Sequence, residues 1–365
     1  MAEAAATIRM RGAGYYSAHT TGAKLVIDRA TPLALAAIRA MDLSGAAPFA
    51  IADFGAADGG TSLGLHRAVL TELRRRAPDR ALTLTHTDLP HNDFATVFQL
   101  VQGRLDGREG LGVPGVFSFA SGTSFYDPIF PPGTLALGFS ATAMHWLSRL
   151  PAPIAEAVHA VFATGATQAA FREQAAADWQ RILLLRAVEL APGGALVFAN
   201  FSTDEAGRYL GATGGRNMHA CFGAHWRALH AAGAITEAEV ARATFPQYYR
   251  SVAEFRAPFE DAAGPVRQAG LRLDECFTLV TPCPYAARFA AGEWTAAEFA
   301  RAYVPTLRSW SESTFLGALD PARPAADRQA LIDRFYAAYE ADVTADPAGH
   351  GMDYVHCLMR VSKAA

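Results

Sequence analysis

Residues 86–93, HTDLPHND, bring two histidines and two aspartates within eight positions, the residue types of a metal site. The spacing argues for separate jobs instead. His86 and Asp88 are two apart and on a strand would share a face. His91 and Asp93 lie past Pro90, in a turn that carries them away. No metal is therefore expected. Asp88 closes a strand, where an acid can accept hydrogen bonds from both ribose hydroxyls of an adenosine. Asn92 or Asp93 caps the helix that follows, and His86 and His91 are incidental on this reading.

A second chemical stretch lies upstream. IADFGAADGGTS (51–62) sets Asp53, Gly55, Gly59 and Gly60 between an apolar run and a helical pattern. Without Cβ atoms the backbone there can approach a ligand closely, although a plain strand–helix turn also uses glycine. A dinucleotide fold would carry G-x-G-x-x-G to seat a pyrophosphate, whereas this chain reads G-A-A-D-G-G with Asp58 inside the loop. An acid there repels a pyrophosphate and tolerates a cationic or zwitterionic ligand. S-adenosylmethionine, with a sulfonium, an ammonium and a carboxylate but no phosphate, meets that requirement.

A scaffold must position these residues. FAIADF (49–54), ALTLTHT (81–87), GVFSFA (115–120), TLALGF (134–139) and ALVFAN (195–200) read as buried strands. Helical patterns separate them, the longest over roughly 167–190 and ending at APGG, a stop signal. Strands alternating with helices imply a parallel, doubly wound sheet with ligands beyond the carboxyl ends of its strands. LRLDECFTLV (271–280) and DYVHCLMRVS (353–362) add two late strands. The predicted fold is α/β: a seven-stranded, mostly parallel, Rossmann-like sheet with an inserted α-helical cap. Residues 1–205, 265–285 and 350–365 would form the sheet unit that binds the cofactor; 206–264 and 286–349 would form the cap over a substrate pocket.

Composition narrows the partners. Half of the 365 residues are hydrophobic (51%) and the net charge is −3, so a large core is affordable and a nucleic-acid or acidic-membrane partner has little support. The run RRR at 74–76 ends a helix, where cations suit the dipole. The start MAEAAATIRMRGAGYY lacks a hydrophobic signal core, and no apolar run approaches membrane-spanning length. Cys221, Cys276, Cys283 and Cys357 are scattered without zinc spacing. A reduced, cytoplasmic compartment is the expectation.

Taken in order, these motifs resemble the SABATH family of S-adenosylmethionine-dependent methyltransferases, which make methyl esters of small acids such as salicylate, benzoate, jasmonate and indole acetate; some relatives N-methylate xanthines. YYSAHTTGAKLVI (15–27) is similar to the family's Tyr-Ala-x-Asn-Ser-x-x-Gln segment, IADFGAADGGTS to Ile-Ala-Asp-Leu-Gly-Cys-Ser-Ser-Gly, and TDLPHNDFATVF to Asn-Asp-Leu-Pro-x-Asn-Asp-Phe-Asn. GTSFYDPIFPPGTL (122–135) resembles Gly-Ser-Phe-Tyr-x-Arg-Leu-Phe-Pro, MHWLSRLP (144–151) resembles Leu-His-Trp-Leu-Ser-x-x-Pro, and FPQYYRSVAEF (245–255) a later Pro-x-Tyr-x-x-Ser stretch. The resemblance implies that Tyr16, Thr20, Asp53, Gly55, Asp88, Leu89, Ser124 and Phe125 surround the cofactor. Asp53 would hold its methionine portion, Asp88 its ribose, and Ser124 with Phe125 its adenine. Plainer roles stay open: a core ring for Phe125, a turn for Ser124, a cap for Asp53.

The substrate end departs from the family. Its members clamp a carboxylate between an entrance-segment glutamine and the indole N–H of the tryptophan in HWLS. Trp146 and the neighbouring His145 are present, but the glutamine position is Ala23 and the usual tyrosine position is Thr142. Losing a donor to a charged acceptor costs about 1.5–3 kcal/mol, so Arg11, His19 or His145 would compensate, or the substrate is no simple carboxylate. Where some plant members carry magnesium-associated residues, this chain has Ala241, Arg242, Ala243 and Thr244, poor ligands for magnesium. Phe222, Trp226 and Tyr248 are candidates for a dry cap pocket, each more simply explained as core.

The expected function is carboxyl methylation of a small, mostly apolar, aromatic acid, with Trp146 and His145 at the reacting end and Thr142, His19, Phe222 and Tyr248 around the substrate. The rival keeps the cofactor and methylates a neutral nitrogen or hydroxyl, with His145 as base. A nicotinamide-dependent oxidoreductase and a non-catalytic binding protein are less well supported. Exposed cap aromatics would suit a homodimer interface.

Overall fold

The apolar runs become strands close to their predicted ends. In the structure, a computed structural model describing residues 10, 14–105, 107–154 and 157–365, eight strands form one sheet. They are β1 (Phe49–Phe54), β2 (Leu82–Thr87), β3 (Val116–Ser121), β4 (Leu135–Ala141), β5 (Leu190–Thr203), β6 (Arg250–Ser251), β7 (Leu271–Thr281) and β8 (Tyr354–Lys363). Their order is β3-β2-β1-β4-β5-β8-β7, with β6 beside β5. Strands β1 to β6 pair in parallel; β8 runs antiparallel to both β5 and β7. The strand beyond the expected seven is β6, whose two residues are too few to carry a periodic signal.

Helices α1 (Tyr15–His19) and α2 (Thr21–Ala40) precede β1, and α3 (Leu63–Arg76), α4 (Phe94–Val101) and α5 (Gly165–Glu189) follow in the connections. The later ones are α6 (Met218–Ala231), α7 (Glu237–Arg242), α8 (Val252–Glu260), α9 (Pro265–Gln268), α10 (Pro284–Ala290), α11 (Ala296–Ala318) and α12 (Ala325–Ala345). The two faces of the sheet bury alternate residues of one strand, as a period of two requires. On β5, Val197 and Ala199 join a core with α2 and α3, while Leu196 and Phe198 join Trp179 and Ile182 of α5 with Phe255 of α8 on the other side.

Two features differ from expectation. Helix α5 ends at Glu189, just before APGG as expected, but no break separates it from the strand. Instead α5 passes straight into β5, and the proline and glycines form an irregularity between the pairs Leu135↔Leu190 and Leu137↔Ala195. Second, α8 lies in the segment assigned to the cap, yet it packs on β7, α5 and α9 at the sheet. Helices α6, α7, α11 and α12 pack on one another, around Phe222, Trp226, Phe315 and Phe335. Among the described residues, exposed large apolar side chains include Phe117 and Phe119 of β3 and Phe277 of β7, the two sheet edges, and no helix is long and apolar enough to cross a membrane.

Helix α2 crosses β8 at Gly22, where an added Cβ would sit 2.0 Å from the Tyr354 ring. Gly22→Ala is expected to destabilise the fold by about 1–3 kcal/mol through overpacking, despite alanine's better helix propensity. Thermal unfolding reads this; a Tm at or above that of the parent would show that the ring yields freely.

Candidate active site

After β1 the chain turns through Gly55 (φ 77), Ala57 (φ 50) and Gly59 (φ 77). Glycine at 55 is required twice over, by the left-handed backbone and because a Cβ would stand 2.5 Å from that of Ala143. Asp53 is buried beneath the turn. Its Oδ2 accepts from Ser62 Oγ at 2.6 Å and lies 3.1 Å from His66 Nε2 and 3.5 Å from His86 Nδ1. Burial works to raise its pKa, but His66 and His86 outweigh it and hold the carboxyl well below the usual carboxylate range. His86, read as incidental, thus braces the turn. His66 does so too, and no motif marked it. Among the described residues no group of three or more histidine, cysteine or acidic side chains is arranged to hold a metal ion.

Asp58 turns away from the space beyond the strands. Its Oδ2 accepts from Ser17 N at 2.8 Å and its Oδ1 from Gly60 N at 3.1 Å, so the loop acid fastens α1 over the turn. Beyond β1, β2 and β4 opens a cavity of about 1060 Å³. Asp88 stands at its wall, Oδ2 accepting from Ala57 N and Oδ1 from Leu89 N, both at 2.8 Å. Burial raises the Asp88 pKa, and each oxygen keeps a lone pair for a ligand hydroxyl. The jobs within HTDLPHND separate here: Asn92 Nδ2 donates to Ala57 O at 2.7 Å, while Asp93 caps α4 by accepting from Thr96 N. Among its described lining residues the cavity has two aspartates and no lysine or arginine.

A smaller cavity of about 410 Å³ adjoins it, and Met10, Tyr16, Thr142 and Trp146 line both. Thr142 has φ 52, a strained conformation for a β-branched residue. Burial pushes the Tyr16 phenol up to about 12, opposed by a hydrogen bond with Thr142. The HWLS segment is fastened from several directions. Arg250 Nη1 donates to Met144 O at 2.9 Å, Tyr126 Oη to Trp146 O at 2.6 Å, and Ser148 N and Oγ to the Asp178 carboxylate at 2.8 and 2.7 Å. Leu147 N donates to Pro246 O, Tyr248 N donates to His145 O, and Trp146 pairs with Gln247 in an isolated antiparallel bridge.

Behind this segment lies a group of buried histidines. Burial holds His145 well below its ordinary value, with His356, His159 and Arg250 adding to the effect. Burial likewise depresses His219, and pushes His159 and His356 down to about 3. A His145 base would therefore already be neutral at pH 6–7, and the rise in rate that its ordinary pKa implies in that window is not expected.

The larger cavity brings together Tyr16, Asp53, Gly55, Asp88, Leu89, Ser124 and Phe125. Thr20 lies in the wall of the smaller one, its Oγ1 donating to Tyr16 O at 2.6 Å. Thr142, His145 and Trp146 meet in that smaller cavity, whereas His19, Phe222 and Tyr248 line neither. The His19 ring stacks on Tyr15, Phe222 is enclosed by Phe315, Phe335 and Tyr339, and Tyr248 Oη donates to Glu254 at 2.8 Å. Arg11 lies outside the described residues. Lining residues that sequence reasoning missed are Phe201, Leu210, Gln247, Trp310, Met352 and Tyr354. Phe201, near the carboxyl end of β5, was findable by the carboxyl-end rule; Tyr354 stands at the amino end of the antiparallel β8, where that rule does not reach; Gln247 sits inside the FPQYYRSVAEF motif; Trp310, in mid-helix, carried no signal.

A family model described as SAM dependent carboxyl methyltransferase matches residues 6–263. Methyltransferase FUS9 of Gibberella fujikuroi is 30% identical over 201 residues, 55% of this chain and 54% of that protein. O-methyltransferase acrG of Aspergillus aculeatus is 31% identical over 266 residues, covering 68% and 66%. The chain thus spans about half the length of the first of these relatives. A solved structure of loganic acid methyltransferase with SAH aligns over 98% of this chain and 99% of that one, with a TM-score of 0.74 and 18% identity, a likeness of fold.

The buried histidines make stability depend on pH. Their folded pKa values lie below the ordinary 6.5, so below that pH the unfolded chain binds more protons than the folded one. Stability is full above about pH 6.5 and falls toward pH 3, by up to about 1.4 kcal/mol per pH unit for each histidine. Chemical unfolding at pH 7.5, 6 and 5 is expected to give a steep decline, and a flat profile would count against neutral burial.

Proposed function

Because the chain belongs to the S-adenosylmethionine-dependent carboxyl methyltransferase family, we propose that it transfers a methyl group to the carboxylate of a small, mostly apolar, aromatic acid. The carrying observation is the pair of adjoining cavities with Met10, Tyr16, Thr142 and Trp146 in common. A donor in one and an acceptor in the other meet across that boundary.

The larger cavity suits the cofactor chemically. Two aspartates without a lysine or arginine among its described lining residues favour a ligand carrying cationic groups over a phosphate. Asp88 would accept from the ribose hydroxyls, Asp53 would face the methionine portion, and Ser124 with Phe125 would border the adenine. When bound, S-adenosylmethionine supplies the activated methyl and its leaving group. The chain's own task is positioning. A carboxylate is ionised at neutral pH, so no base is needed, and alignment and exclusion of water remain. Phe201, Trp310 and Tyr354 supply apolar walls for the acceptor, and α11, which carries Trp310, belongs to the proposed cap. The indole N–H of Trp146 is a donor only and would hold one carboxylate oxygen.

A metal is not part of this proposal. Arg242 Nε donates to Ala318 O and Thr244 Oγ1 accepts from Ile154 N, and Ala241 and Ala243 offer no side-chain ligand. The rival acceptor, a neutral nitrogen or hydroxyl, finds support in His145, whose Nδ1 is buried without a hydrogen-bond partner. The product separates the two: an ester is hydrolysed by mild base and an N-methyl product is not.

Asp88→Ala is expected to weaken binding of S-adenosylhomocysteine by about ten- to a hundredfold, the loss of one or two hydrogen bonds to a charged group. Isothermal titration checks this, and unchanged affinity would remove Asp88 from the site. In assays of labelled cofactor with a panel of acids and excess chelator, turnover to base-labile esters is expected. Trp146→Phe should lower kcat/KM by about ten- to a hundredfold; a neutral substitution, or products stable to base, would move the assignment to the rival.

A further inference from the structure

Gln247 is a fully buried residue in the wall of the smaller cavity. Its Nε2 has no hydrogen-bond partner, whereas its Oε1 accepts from the Tyr249 hydroxyl at 3.5 Å. The carbonyl end is therefore turned toward the polar packing and the amide N–H₂ end is left over. A buried donor without an acceptor is costly to a fold, and here it borders a cavity. Residues directly opposite in an antiparallel bridge project their side chains to the same side, about 5 Å apart at Cβ. Trp146 and Gln247 are such a pair, so the two side chains stand next to each other, and both line the smaller cavity. Both are donors, one an indole N–H and one an amide N–H₂.

A carboxylate has two oxygens and, once desolvated, needs a donor for each. No lysine or arginine lines the smaller cavity among the described residues, and burial keeps His145 neutral. Ala23, in the same wall, has nothing to donate. We propose that Gln247 Nε2 is the second donor to the substrate carboxylate, completing with Trp146 Nε1 a neutral two-donor clamp. The inference rests on the carboxyl-methylating reading above. It also narrows the substrate to acids whose carboxylate enters a site without cations, so that recognition depends on hydrogen-bond geometry rather than on charge.

The test is titration of benzoate and indole-3-acetate into the parent, Gln247→Leu and Gln247→Glu, each saturated with S-adenosylhomocysteine, with ester formation from labelled cofactor measured alongside. The expected result is a tenfold or greater loss of acid affinity in Gln247→Leu and a larger one in Gln247→Glu, where a second anion faces the first. Affinity for S-adenosylhomocysteine should stay unchanged, and the loss in ester formation should appear as a raised KM. Acid binding within twofold of the parent in both variants overturns the proposal. So does a parallel loss of cofactor affinity and kcat, which would mark a merely structural glutamine, and so does failure of the parent to bind either acid. A parent that binds the acids but forms no ester defeats the functional reading alone, because the variants' binding still decides the clamp.

Discussion

The backbone of residues 144–148 has to stand still, and most of what surrounds it serves that end. Its carbonyls and amides are held by Arg250, Tyr126, Asp178, Pro246 and Tyr248, groups drawn from separate parts of the chain. Trp146 projects from this fixed strip into the boundary between the two cavities. On the proposed function, rigidity there has a chemical purpose. In-line transfer tolerates little error in the position of the nucleophile, and a tryptophan on a loose loop would give the acceptor many orientations. The strained Thr142, just ahead of the strip, is tolerated because so many neighbouring contacts determine the path of the chain.

The sheet was legible because buried parallel strands need unbroken apolar runs and their ends need glycine or acids. FAIADF and ALTLTHT therefore mark both β1 and β2 and the positions of Asp53 and Asp88. At APGG the end of the helix was legible but the start of the strand was not, since proline and glycine mark an interruption without saying whether it falls in a loop or as a bulge within a strand. The substrate side was harder. Its walls come from α2, β5, the stretch before β6, α11 and β8, and which aromatic on a helix turns inward is decided by packing that no local pattern records. Phe222 illustrates this: it has the right residue type in the right segment, and it is enclosed by other rings instead.

Electrostatics divides the molecule along the same boundary. The larger cavity is acidic, with Asp53 held ionised by two histidines, and suits a ligand that brings positive charge. The smaller is neutral, walled by aromatics and by His145, which burial keeps uncharged. A carboxylate entering it gives up water without meeting a cation, so its remaining hydration penalty has to be offset by donors aimed at its oxygens. An anion placed there is also less stabilised than in water, which makes it the better nucleophile.

The short helix α1 lies over both chambers. It supplies Tyr16 to each, and it is secured by Ser17 N on Asp58 and by the His19 carbonyl, which accepts from Tyr285 and Thr306. Packing against α11 and α2 and the burial of Tyr16 add to those bonds, so this one short segment holds a fixed place at the border of both spaces. Because Tyr16 borders both spaces, a change at that single residue would be felt by the occupants of both at once.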